Sequence, residues 1–293
     1  VCRAFSRCLF RSPEARVPRV AWGSDPQRLA FREISDRASL FHVVTVVWGR
    51  PYVDLFLDVT VPNQCTPGNL GALPAGSRYR VFTSPDDAAR LAASPVLDRV
   101  NAMMPLDLVV MPELSDTSVG AMDRLTAAQC CALATARESR AALMFLNADF
   151  FLSEGALAAV VRRHASGTRA VVTMGVRLNK DTFVANLEMR GGLRSLPSRE
   201  LVSLALDNLH PFTVAHLVDS ARTARHPIWV CWNVPGEGIL ARAFFLQPLM
   251  VDPVLRDVLP RDRFTIDAKY VVGACPQLEE VDVVSDSDEL CFF

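Results

Sequence analysis

No stretch of the 293-residue sequence approaches the ~20 consecutive apolar residues that a membrane helix needs. The most apolar runs, Val43–Trp48 and Leu143–Leu146, have the length of buried strands instead. The eight cysteines, at positions 2, 8, 65, 130, 131, 231, 275 and 291, form no Cys-x-x-Cys pair. Neither a zinc module nor an extracellular disulfide framework has the spacing it requires. Buried or incidental thiols in a reducing cytosol are the expectation, and with them a cytoplasmic location. Val1–Phe10 mixes basic and apolar residues without the apolar stretch of a signal peptide. A surplus of one charge is also missing: 31 Lys and Arg are dispersed among 32 Asp and Glu, for a formal net charge of −1. This argues against nucleic acid or an anionic membrane as the main partner.

Several site motifs are absent as well. No Gly-x-Gly-x-x-Gly follows the first strand candidate, which argues against a standard dinucleotide site. A P-loop, a Gly-x-Ser-x-Gly elbow and a His-Glu-x-x-His helix are all missing, removing sequence support for a P-loop enzyme, an α/β-hydrolase or a zincin. The chain carries no internal repeat and no low-complexity tract.

What is present is a large apolar fraction, half of all residues, arranged in alternating elements. Residues 1–40 are irregular and read as an N-terminal extension. From Phe41 the run Phe41–Trp48 is β-branched and stops at Gly49, as expected of a strand buried on both faces. Tyr52–Thr60 has apolar residues at helical spacing. Tyr79–Phe82, Leu106–Met111, Ala141–Leu146 and Arg169–Met174 read as further strands. Between them lie a helix capped by Ser84 with Pro85 in its first turn, the Ala-rich helix Met122–Arg140, and a helix opened by Ser153 and running to His164. Strands alternating with helices predict an α/β fold with a mostly parallel central sheet and helices on both faces. Beyond Gly175 the regularity weakens. Asp181–Leu193 reads as a hairpin or strand pair, Ser198–Asn208 as a helix capped by Ser198, and Arg242–Pro248 and Val281–Val284 as strands. Trp- and His-rich loops lie around His210, His226 and Trp232. No linker divides the chain, so 41–293 is taken as one domain, with a donor half at 41–175 and an acceptor half at 176–293.

Ligands of open parallel sheets bind beyond the carboxyl ends of the strands. That rule selects Gly49-Arg50, then Thr83-Ser84 with Asp86-Asp87, then Glu113, then Asn147 and Asp149, and finally Arg177 and Asn179. The segment Leu143–Leu157 is the most informative. An apolar strand delivers Asn147-Ala148-Asp149 to its carboxyl end, and a helix follows a few residues later. A carboxylate so placed can bind a hard divalent cation through oxygen, and the cation can hold a diphosphate.

At these residues the sequence resembles the GT-A family of nucleotide-sugar glycosyltransferases, whose corresponding strand ends in Asp-x-Asp. Here Asn147 stands at the first acidic position and Asp149 matches the second. The amide offers an oxygen but less charge for a dication. The resemblance covers roughly residues 41–175. It implies a hexosyltransferase-type enzyme that moves a sugar from a nucleoside diphosphate to an acceptor hydroxyl on a glycan, lipid or protein. Asp149 would be the ligand of a Mn²⁺ or Mg²⁺ ion. Thr45, Thr83, Asp86, Arg137 and Asn147 would contact the donor, and Asp267 would be the base that deprotonates the acceptor if the course is inverting.

Each residue also has a plainer reading. Asp149 could start the helix near Ser153, Asp86-Asp87 could complement a helix dipole, and Arg137 could lie on a solvated helix face. Asp267 could pair with Arg261 or Arg263. His42 falls inside an apolar strand as a core histidine, and His210, His216 or His226 could complete a metal site. Trp229 and Trp232 could stack on a sugar or pack, and the acidic run Asp282–Glu289 could be a solvated edge. Two other functions fit the same pattern. A nucleotidyl or phosphoryl transferase would need a Gly-rich basic loop after the first strand, of which Gly49-Arg50-Pro51 is a poor version. A non-catalytic descendant could bind nucleotide or a partner without turnover.

Overall fold

The β-branched run near residue 43 becomes the central strand of the molecule. In the computed structural model, which describes residues 38–192, 194–252, 266–275 and 277–293, β1 spans Leu40–Val46 with Phe41 to Thr45 all buried. It pairs in parallel with β2 (Arg78–Thr83) on one side and β4 (Ala141–Phe145) on the other. β3 (Leu106–Val110) extends the sheet beyond β2.

The other edge is built from β5 (Ala170–Thr173), β8 (Gln247–Val251) and β9 (Val281–Val284). The full order is β3-β2-β1-β4-β8-β5-β9. β8 is the one antiparallel member, lying between β4 and β5. A separate antiparallel hairpin joins β6 (Trp229–Val234) to β7 (Gly238–Ala243). This is the mostly parallel α/β architecture that the alternation of elements predicts.

Helices cover both faces. One face holds Phe41, Val43, Tyr79, Val81, Met144 and Leu146. It is covered by α1 (Arg50–Leu55), a π-helical turn (Phe56–Thr60), α2 (Val61–Gln64), α3 (Pro85–Ala92) and α4 (Pro95–Met103), and by α6 (Ala156–Ala165). The opposite face, with Val44, Phe82, Leu143 and Phe145, packs on α5 (Ala121–Glu138) and on α10 (Ala268–Ala274). Ala128, Ala132 and Ala136 recur every four residues on α5 and are fully buried. Small side chains at that spacing bring the helix close to the sheet. Each fully buried aliphatic or aromatic side chain in these layers contributes roughly 1.5–3 kcal/mol.

A third apolar cluster joins α7 (Lys180–Met189) and α8 (Ser198–Leu206) to Val59 and Phe151. A short α9 (Pro211–Val214) follows. Three local expectations are corrected. Residues 180–189 are helical rather than a hairpin, because Asn179 caps them by accepting from the Thr182 N–H and Phe183 and Leu187 share one buried face. The strand expected over 242–248 is two strands, since β7 ends at Ala243 and β8 starts at Gln247. The helix expected from Ser153 starts at Ala156 behind Gly155, and the Ser153 hydroxyl instead accepts the Cys291 N–H at 3.1 Å.

Candidate functional site

The chain leaves β4 into a turn in which the Phe150 N–H bonds the Asn147 carbonyl at 3.1 Å. Ala148 and Asp149 are its central residues. Polar side chains from the first helical region hold this segment from one side. Thr60, at the end of the π-helical turn, donates to the Ala148 carbonyl at 2.8 Å. Buried Asn63 takes the Leu152 N–H on its Oδ1 at 2.7 Å and donates to the Leu152 carbonyl at 2.9 Å. From the other side Phe293 pairs with Phe151 through two backbone bonds, and the Phe292 ring lies 4.4 Å from that of Phe150. Asp149 is thereby presented at the tip of a turn braced from both directions.

The chain leaving β5 supplies the facing wall. Arg177 is fixed at its backbone, where Thr213 Oγ1 donates to its carbonyl at 2.8 Å and the His210 N–H bonds the same carbonyl at 3.0 Å. Its guanidinium lies 4.4 Å over the Phe212 ring. Phe212 in turn packs on His216 and Trp229. Among the described residues Arg177 makes no ion pair. Lys180, the first residue of α7, and His210 line the same space. His210 Nδ1 accepts the Phe212 N–H at 3.0 Å, which leaves Nε2 as the atom available to a ligand.

These residues enclose a cleft of about 490 Å³, lined by Asn147, Asp149, Arg177, Lys180, His210 and Gln247 with Phe and Leu walls. A second cavity of about 120 Å³ adjoins it, with Asn147, Phe150 and Gln247 common to both and with Asp267, Gln129 and Phe245 in its lining. Both lie at the carboxyl ends of β4 and β5, where open α/β sheets bind ligands. The size of the larger one suits a small organic molecule.

Asp149 is open to the cleft yet hemmed in by protein. Burial raises its carboxyl above the ordinary carboxylate value, against the lowering effects of a backbone hydrogen bond and of Arg177. Among the described residues no group of three or more His, Cys, Asp and Glu could hold a metal ion. One carboxylate and one amide at a single turn fit a hard cation that brings its remaining ligands from phosphate and water, not a cation caged by the chain.

The other expected site residues are placed elsewhere. Thr45 is fully buried, its hydroxyl donating to the Leu146 carbonyl at 2.7 Å and lying 2.9 Å from the Tyr79 hydroxyl. Thr83 is buried at the end of β2, with its Oγ1 unpartnered among the described residues. Asp86 is exposed on α3 and accepts from Ser115 at 2.9 Å. Its neighbour Asp87 accepts both the Gly49 N–H and the Ser84 hydroxyl at 2.7 Å, tying the end of β1 to that helix. Arg137, near the carboxyl end of α5, lies beside the buried phenol of Tyr270, which burial pushes up to about 12 against the opposing guanidinium. None of these four lines either cavity.

Asp267 borders the smaller cavity and caps α10, accepting the Tyr270 N–H at 3.4 Å. Its suggested partners Arg261 and Arg263 lie outside the described residues. The structure thus brings Asn147 and Asp149 together with Arg177, Lys180 and His210. The strand-end rule singles out Arg177, and His210 is one of three histidines named as able to complete a metal site. Lys180 and Gln247 are not selected from sequence, and Gln247 carries no local signal.

The remaining histidines and tryptophans sort by burial. His42 is buried on β1 and its pKa is lowered to about 4, chiefly by burial and then by Arg80 and Arg78, with Asp107 opposing. His216 is structural, with Nδ1 2.8 Å from the Phe212 carbonyl and Nε2 accepting the Ile228 N–H at 3.3 Å. Trp229 is packed and Trp232 is exposed. Among the described residues no disulfide joins the six cysteines, and no helix is long and apolar enough to cross a membrane.

No protein-family model matches the sequence, and no curated protein matches it. Among solved structures, mouse xyloside xylosyltransferase 1 in its apo form is similar with a TM-score of 0.28 and 8% identity. That match covers 52% of this chain and 59% of the transferase chain.

Proposed function

We propose that the larger cleft binds a nucleoside-diphosphate sugar and that the protein transfers the sugar to an acceptor hydroxyl. The observation that carries this reading is the meeting of Asp149 at the end of β4 with Arg177, Lys180 and His210 beyond β5 in one cleft of about 490 Å³. One wall is anionic and the other cationic, which suits a diphosphate that brings a divalent ion. Asp149 and the Asn147 amide oxygen would hold that ion. When bound, it neutralises diphosphate charge.

The chain's own cations have a defined task. As the bond between sugar and diphosphate breaks, negative charge grows on the departing group. Arg177, held by Phe212 and Thr213, faces that charge without having to reorganise. Lys180 adds a second positive charge, and His210 Nε2–H donates to a phosphate oxygen. In an inverting course the acceptor proton needs a base, and Asp267 lines the adjoining cavity, which shares Asn147, Phe150 and Gln247 with the larger cleft.

Thermal stability measured with UDP-, GDP- and CDP-sugars, each with and without Mn²⁺ or Mg²⁺, tests the reading. At a hundredfold excess over Kd a ligand of the native state adds about 2.7 kcal/mol. Asp149→Ala should remove the metal-dependent part of the shift, and Arg177→Ala should weaken nucleotide binding itself by about tenfold or more. Asp267→Asn should leave donor binding intact and stop turnover. No shift with any nucleotide sinks the proposal. A shift without transfer to any acceptor favours a nucleotide-binding descendant that has lost catalysis, a reading supported by Asp149 being, among the described residues, the sole carboxylate side chain in the lining of the larger cleft.

A further inference from the structure

Pro62 lies inside what would otherwise be one continuous helix from Arg50 to Gln64. It has no N–H for the Asp58 carbonyl four residues back, and its ring crowds that carbonyl. The helix accommodates it with the π-helical turn Phe56–Thr60, in which the Val61 N–H bonds the Phe56 carbonyl. The Asp58 carbonyl accepts instead from Arg194 at 3.3 Å. A π turn closes its hydrogen bond over one residue more than an α turn, so it rotates the face presented by everything after it. Tyr52, Leu55 and Val59 line the larger cleft. At the end of the turn and beyond it, Thr60, Asn63 and Gln64 share a second face by their spacing of three and four residues, and all three are buried.

Buried polar groups cost stability unless they are bonded, and each of these three is bonded around the strand end that carries Asp149. Asn63 brackets Leu152, and Gln64 Oε1 accepts the Tyr79 hydroxyl at 2.6 Å. Thr60 reaches the turn itself, donating to the Ala148 carbonyl at 2.8 Å. The peptide joining Ala148 to Asp149 is trans, so its N–H, which belongs to Asp149, points away from Thr60. That N–H makes the backbone hydrogen bond that lowers the Asp149 carboxyl against the effect of burial. A hydroxyl bonded to one end of an amide strengthens the donor at its other end. Thr45 holds the Leu146 carbonyl at 2.7 Å, but that peptide ends at Asn147 and does not include Asp149.

We propose that Thr60 is a positioning residue, whose hydroxyl fixes the Ala148–Asp149 peptide and so holds the Asp149 carboxyl in place for a cation in the cleft. The cation in this role rests on the nucleoside-diphosphate-sugar reading of the cleft; the hold on the carboxyl does not.

Thr60→Val keeps the shape of the side chain and removes the hydroxyl, whereas Thr60→Ser keeps the hydroxyl. Carbon-13 NMR follows the Asp149 carboxyl through a pH titration, with its signal assigned by its loss in Asp149→Asn. Asp149 should titrate at a higher pH in Thr60→Val than in wild type, and Thr60→Ser should return it towards wild type. Calorimetry with UDP and GDP, each with and without Mn²⁺, gives the second readout. Thr60→Val should weaken the Mn²⁺-dependent part of binding about five- to tenfold, the scale of one net hydrogen bond, and change metal-free binding less than twofold. An unmoved Asp149 titration in Thr60→Val, or no recovery in Thr60→Ser, overturns the proposal. So does equal weakening with and without Mn²⁺, the result expected of a threonine that only supports the fold. Thr60→Ala is measured alongside; if neither it nor Thr60→Val folds while Thr60→Ser does, the hydroxyl serves the fold as a whole and the proposal falls. If wild type binds neither nucleotide while the Asp149 titration still responds to Thr60→Val, the reading of the cleft fails and the hold on Asp149 stands.

Discussion

The carboxyl of Asp149 is under opposed influences. Burial raises its pKa, while its backbone hydrogen bond and Arg177 pull it down, and burial prevails. A carboxyl whose folded-state pKa is raised disfavours the fold when ionised. The unliganded protein should therefore gain stability as pH falls through that raised value, since the native state then takes up the proton more readily than the unfolded chain. A cation at Asp149 needs the ionised form, so its stabilising effect should disappear over the same interval, at a higher pH than for an aspartate with the ordinary carboxylate value. Melting curves from pH 8 to pH 4, with and without Mn²⁺ and nucleotide, should show the two trends with opposite sign. Asp149→Asn should flatten both and raise the melting temperature of the unliganded protein at neutral pH. A metal-dependent shift that persists in Asp149→Asn would place the cation elsewhere.

Among the secondary-structure elements, the loop before β2 and the start of α6 meet backbone to backbone. A Cβ on Gly68 would stand 2.6 Å from the Gly155 Cα, and Gly68 itself has φ +73°. Gly155, also left-handed at φ +75°, is the N-cap of α6 and offers no side chain to satisfy the first N–H groups. The loop does so instead: the Ala158 N–H bonds the Gly68 carbonyl at 2.9 Å and the Leu157 N–H bonds Asn69 Oδ1 at 3.2 Å. This contact also anchors the segment that carries Asp149. Gly68→Ala should cost about 2 kcal/mol or more through strain and separation, roughly 4–8 °C in Tm for a domain of this size. Chemical denaturation should reveal the loss, and an unchanged midpoint would show that the loop yields freely.

For the molecule as a whole, the donor and acceptor halves expected at 41–175 and 176–293 share one sheet. β8 comes from the second half and lies between β4 and β5 of the first, bonding to both. β9, also from the second half, pairs with β5. A fragment comprising residues 38–175 would leave β4 and β5 with bare edges and expose Met144, Val171 and Leu143. It should show no cooperative thermal transition by circular dichroism. A sharp transition in that fragment would mean that the nucleotide-side half folds without β8.

The sequence alone determined the parallel strands β1 to β5, most of the helices between them and the position of Asn147-Ala148-Asp149 at a strand end. All of these depend on local period, composition and turn chemistry, which a single chain segment carries in itself. Val281–Val284 was legible for the same reason. Residues 180–189 were not, because their alternation of polar and apolar residues fits strand and helix alike until Asn179 caps them and Phe183 packs. Only the tertiary structure decided that β8 inserts antiparallel between β4 and β5, that Arg177, Lys180 and His210 face Asp149, and that Thr45 spends its hydroxyl on the core. Those outcomes depend on pairings between residues roughly 30 to 110 positions apart, which no local pattern records. Thr60 shows the difference most directly, since a threonine two residues before a proline says nothing until the π-helical turn brings its hydroxyl to the Ala148 carbonyl.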